Sequence, residues 1–127
     1  MVKGIHHVAL RVEDFAKAMR FYRDALGLKE LRAWGEGDGR AAMLDTGDGI
    51  IELFAGGKGA SEGSYFHLAL RSDDVDGDYA KALAAGATVK QAPAEVNVPV
   101  TSGAPMRVRI AFVFAPTGEI VEFYHEF

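Results

Sequence analysis

The chain has 127 residues, enough for one compact domain with a real core, and its 49% hydrophobic and 25% charged content is ordinary for a soluble globular protein. Eighteen acidic against 14 basic residues give a net charge of −4 with no basic run, which argues against nucleic acid or an anionic membrane as partner and leaves small molecules. Cysteine is absent, which excludes disulfides and thiolate metal sites, and with no signal-like or eighteen-residue apolar run a cytoplasmic location is expected.

In chain order, a strand over 7–12 runs to Asp14. This residue can cap a helix whose apolar positions Phe15, Ala18, Met19, Tyr22, Ala25 and Leu26 recur at 3.6-residue spacing until Gly27 stops it. Strands are expected over 28–34, 40–44 and 50–54, with Trp34 and the glycines of WGEGDGR forming a turn. The stretch AGGKGASEGS (55–64) reads as a joint. A strand over 66–70 then leads to Asp74, which can cap a helix carrying Val75, Tyr79, Ala82 and Leu83, with Gly86 as stop. Strands follow over 88–91, 108–114 and 120–124. The Pro, Gly, Ser and Thr content of KQAPAEVNVPVTSGAP (90–105) reads as a long loop, a connection or a lid.

The chain also repeats itself. HHVALRVED (6–14) recurs as FHLALRSDD (66–74), and GDGIIELF (47–54) is echoed by PTGEIVEFY (116–124). The expected architecture is therefore α+β: one domain, 1–127, of two βαβββ modules over about 1–58 and 64–127.

Strand parity sorts the side chains, because alternate residues point to opposite faces. Ile51 with Leu53, and Val121 with Phe123, can cover the helices. His7, Ala9, Arg11 and Glu52 in one copy, and His67, Ala69, Arg71 and Glu122 in the other, face away. By the same parity His6 is expected on the helix side or the surface. A divalent cation held by 2 His and 2 Glu satisfies groups that would be costly to bury unpaired. Nitrogen and carboxylate donors without sulfur fit nickel, cobalt, zinc, manganese or iron. Phe54, Ile120 and Tyr124 share the ligand face and can line an apolar substrate pocket. Arg107 and Arg109 read as an anion-binding pair or as a solvated outer face.

The segments HHVALRVEDFAKAMRFYRDALGL, IIELF, FHLALRSDDVD and PTGEIVEFY resemble the vicinal oxygen chelate superfamily over nearly the whole chain. That superfamily includes glyoxalase I, extradiol dioxygenases, methylmalonyl-CoA epimerase and bleomycin-binding proteins. The resemblance implies a pseudo-twofold pair of modules forming a curved eight-stranded mixed sheet around a metal cleft, and a homodimer. Its four metal positions fall on His7, Glu52, His67 and Glu122. The complete His/Glu/His/Glu set is most similar to glyoxalase I, a lyase that isomerises a thiol hemithioacetal through a metal-stabilised enediolate. On that likeness Glu122 is the expected base, with Glu52 second, and Arg11, Phe54 and Tyr124 are expected to bind substrate. Glutathione or another thiol would be the cofactor of such an enzyme, but Gly56 replaces an asparagine that contacts glutathione, and 115–118 reads Ala-Pro-Thr-Gly rather than Asp-Pro-Asp-Gly. The alternatives are a non-catalytic drug-binding protein of the bleomycin-resistance type and a ferrous extradiol dioxygenase.

Overall fold

Asp14 begins the helical part of the first repeat: its carboxylate accepts the Lys17 amide proton at 2.9 Å and so satisfies one open N–H of the first turn. The computed structural model describes residues 1–59, 63–116 and 119–127. Thr117–Gly118, which precede the expected last strand in sequence, and the middle of the expected joint lie outside the described residues. The chain divides into two compact units.

The first unit comprises His7–Phe66 and Pro99–Pro105. It holds the second half of β1 (Val2–Arg11), α1 (Phe15–Met19), β2 (Lys29–Trp34), β3 (Ala41–Asp45), β4 (Ile50–Phe54) and a short strand, β7 (Val100–Gly103). Strand order is β1-β4-β3-β2-β7, with β1–β4 parallel and the other pairs antiparallel. Phe15 and Met19 are buried on Leu44 and Leu53, with Leu10 and Ile51 packed alongside, as parity requires. Beyond Met19 the chain widens into a π-helical segment, Arg20–Ala25, where the Leu26 amide donates to the Phe21 carbonyl at 2.9 Å. Each residue there turns less about the axis, so the expected 3.6 spacing holds through Tyr22 and then fails. Leu26 is 57% exposed.

The second unit comprises Met1–His6, His67–Val98 and Met106–Phe127. Its elements are most of β5 (Tyr65–Ser72), α2 (Val75–Ala84), β6 (Thr88–Val98), β8 (Met106–Phe114) and β9 (Ile120–Glu126), in the order β6-β8-β9-β5 with β5–β9 parallel. Asp74 caps α2 through the Gly77 amide at 3.0 Å, and Val75, Tyr79, Ala82 and Leu83 pack on Val113, Val121 and Phe123. Each unit thus carries the βαβββ order.

One expectation is corrected. Residues 90–105 do not form a long loop: most of them lie in β6 and β7, which brings the described strands to nine. Strand β6 pairs with β8 through Val98↔Met106, and its register shifts between Gln91 and Ala94, where Pro93 has no amide to donate. Ala94, Val96, Val98 and Val100 are half-buried while Glu95, Asn97, Pro99 and Thr101 are exposed, a period-2 pattern that prolines and glycines obscured in the sequence. Among the described residues no helix is long and apolar enough to cross a membrane.

Candidate metal centre

Parallel pairing of the first and last strands places each glutamate. In the first unit β1 and β4 pair with Ala9↔Glu52, and in the second β5 and β9 pair with Ala69↔Glu122. The histidine stands two residues before the alanine in both. His7 Nε2 therefore meets Glu52 Oε1 at 3.0 Å, and His67 Nε2 meets Glu122 Oε2 at 3.0 Å. None of the four is more than 4% exposed, and Ala9 and Ala69 are fully buried beside them. A larger residue at either alanine would occupy the space of the carboxylate.

The pairs fit metal ligation. Two donors at right angles on an ion with bonds of about 2.1 Å stand about 3.0 Å apart, whereas a tetrahedral angle separates them by about 3.4 Å. A buried His–Glu hydrogen bond spans the same distance. His7 with Glu52 in the first unit, and His67 with Glu122 in the second, are each a buried nitrogen–carboxylate pair of the kind that contributes to a metal site. This is the set the sequence singles out.

The surroundings differ between units. In the first, cross-strand pairing carries the ligand row from Glu52 through Met43 to Arg32, whose Nη1 lies 3.8 Å from Met43 Sδ and which is only 7% exposed. In the second, Phe112 stands opposite Glu122, and its ring meets His67 edge-on at 5.4 Å. Parity along β2, β3 and β8 would have found Arg32, Met43 and Phe112. Their neighbours' strand assignments were needed first.

The expected substrate residues separate into two groups. The Arg11 guanidinium lies 4.2 Å from the Phe66 ring centre and 5.4 Å from that of Phe54, and Phe54 touches Phe66 and Trp34 edge-on. Tyr124 is in the second unit, donating its hydroxyl to Glu126 at 2.7 Å. Its ring stacks on His6 at 3.9 Å, and both line a cavity of about 330 Å³. His6 is thus neither a helix-side nor a surface residue but a buried one, 8% exposed. His125, for which the sequence offers no partner, places Nδ1 3.1 Å from the Ser72 carbonyl oxygen. Arg107 and Arg109 form outer ion pairs with Glu95 and, through two short bonds, Asp76. Hydrogen bonding from Arg109 holds the Asp76 carboxyl below its ordinary pKa.

The fold agrees with the comparisons. The chain matches the Glyoxalase/Bleomycin resistance protein/Dioxygenase superfamily over residues 4–123 and belongs to that family. The uncharacterized protein YwbC of Bacillus subtilis (strain 168) is 30% identical, the match covering 98% of each chain. Among solved structures, a Streptomyces coelicolor methylmalonyl-CoA epimerase variant in complex with 2-nitronate-propionyl-CoA has a TM-score of 0.71 at 23% identity, covering 98% of this chain and 97% of that one. A methylmalonyl-CoA epimerase in complex with methylmalonyl-CoA and NH4+ has a TM-score of 0.73 at 22% identity, covering 98% and 94%. At such identities the likeness is one of fold.

Proposed function

We propose that His7, Glu52, His67 and Glu122 hold one divalent cation and that the protein is a metal-dependent lyase or isomerase of the glyoxalase type, which removes a proton beside a carbonyl. The observation that carries this reading is the same buried His–Glu contact, 3.0 Å long, built twice in the same strand register. A bound cation supplies Lewis-acid polarisation of the substrate oxygens. Glu122, buried at the end of its strand pairing with Ala69, takes the proton from the carbon next to the carbonyl. Glu52, its counterpart, is the second carboxylate able to hold or return that proton. Arg11 offers charge to an anionic part of the substrate, and Phe54 and Tyr124 offer apolar surface.

The substrate is a small, oxygen-rich carbonyl compound, and a thiol hemithioacetal is one such compound. Returning the proton to the neighbouring carbon isomerises it; returning it to the opposite face of the same carbon epimerises it. The second outcome suits the epimerase names of the fold relatives, and two carboxylates allow either.

Proton exchange tests the reading without knowledge of the true substrate. Metal-reconstituted protein in deuterium oxide, offered methylglyoxal with several thiols and 2-methyl-branched thioesters, is expected to place deuterium beside the carbonyl of at least one. Glu122→Gln is expected to lower that rate by about a hundredfold or more, as loss of a general base does. Full exchange in Glu122→Gln contradicts the role of Glu122, and no exchange with any compound contradicts the activity.

A further inference from the structure

A cavity of about 350 Å³ opens in the first unit among α1, its π-helical continuation, β2 and β3. Buried Phe15, Met19, Ala41 and Ala42 line it with apolar surface. Ala33 and Ala42 alternate with Arg32 and Met43, so the cavity lies across the sheet from the row that carries Glu52. Neither the ligand set nor the proposed chemistry uses it.

Its charge is unbalanced. Arg20, Arg23 and Arg40 border the cavity against the single carboxylate of Glu30. Arg23 is already engaged, its Nε with Asp24 at 2.8 Å and its Nη1 with Glu30 at 3.3 Å, so Glu30 has its countercharge. Among the described residues the side chains of Arg20 and Arg40 make no hydrogen bond or ion pair. Arg40 lies over the Phe15 ring, 4.5 Å from its centre, held at the apolar wall. Neither guanidinium is hydrogen-bonded to a carboxylate, the Asp24 that attracts Arg20 being bonded to Arg23. Two such guanidiniums beside a hydrophobic recess match an oxyanion joined to a compact apolar body, since the guanidinium fork grips such oxygens and the recess shelters the rest. The volume is near the low end for ligand pockets, which run from about 300 Å³ upward, and suits one ring or a short chain with its head group.

We infer that this recess is a second binding site, separate from the metal centre, for a small organic anion whose phosphate or carboxylate pairs with Arg20 and Arg40 while its apolar part rests on Phe15 and Met19.

The test is a calorimetric titration with phenyl phosphate and with benzoate, on metal-loaded and on chelator-treated protein. At least one of the two is expected to bind saturably, with the same dissociation constant in both preparations; the tighter binder names the preferred head group. The double variant Arg20→Ala/Arg40→Ala, both exposed positions, is expected to melt at the same temperature and to weaken that binding by about tenfold or more. Arg20→Lys/Arg40→Lys is expected to recover part of it through retained charge. Absence of saturation with both probes, equal affinity in the double alanine variant, or binding that vanishes with the metal overturns the inference. None of these results bears on proton exchange at the metal centre.

Discussion

Ala9 and Ala69 show how little room the ligand rows allow. Each is fully buried and stands directly opposite a glutamate, so Ala69→Val must displace either Glu122 or the strand beside it. We expect the substitution to cost about 1–3 kcal/mol in urea unfolding, as overpacking of a filled site does, and to weaken metal binding. Unchanged stability together with unchanged metal affinity would contradict the packing argument. At this scale the sequence was informative where parity alone decides the matter. His7, Glu52, His67 and Glu122 could be read from alternation and recurrence. His6 could not, because its burial depends on the Tyr124 ring, a contact between residues far apart in the chain. Arg32 was missed for a similar reason: its burial depends on β3 and β7 on either side, and β7 was not expected.

Among elements, the helix starts were legible because capping is local chemistry. Asp14 and Asp74 each accept an amide three residues on, and Asp74→Ala is expected to lower stability by about 1 kcal/mol, measured by urea denaturation. No loss would mean that another group replaces the cap. The Arg109–Asp76 pair joins β8 to the first turn of α2. Because folding lowers the Asp76 pKa, its contribution is fully present above the unfolded carboxyl value and is lost as pH falls through the folded one. Arg109→Ala is therefore expected to flatten the acid limb of the stability profile below about pH 4, where an unfolded carboxyl titrates. An unchanged limb would show that solvent already screens the pair. Strand β6 was legible only in part, since Pro93 sits at a register shift rather than ending the strand. Among residues 95–98 of this edge strand, the alternate amides that point to β8 are accordingly expected to exchange slowly with deuterium; exchange of all of them at free-loop rates would contradict the pairing with β8.

For the whole molecule, the duplicated βαβββ order could be read because the repeat preserves both register and caps. The exact membership of each unit could not. Strand β1 has Val2–His6 in one unit and His7–Arg11 in the other, and Pro99–Pro105 belongs with the first repeat through β2–β7 pairing. Such exchanges depend on long-range pairing that no local pattern announces. If one cation joins the two His–Glu pairs, binding stabilises the native chain by mass action, about 2.7 kcal/mol at a hundred times the dissociation constant. Chelation is then expected to lower the melting temperature, and a melting curve indifferent to both chelator and metal would argue against a structural contribution.

Metal stoichiometry tests the central claim most directly. Elemental analysis of the purified chain, of His7→Ala and of His67→Ala, each after reconstitution and removal of free ion, is predicted to give one ion per chain in the parent and essentially none in either variant. Two ions in the parent, with one kept in each variant, would show that the pairs act separately, and a parent that takes up no metal would contradict the account outright.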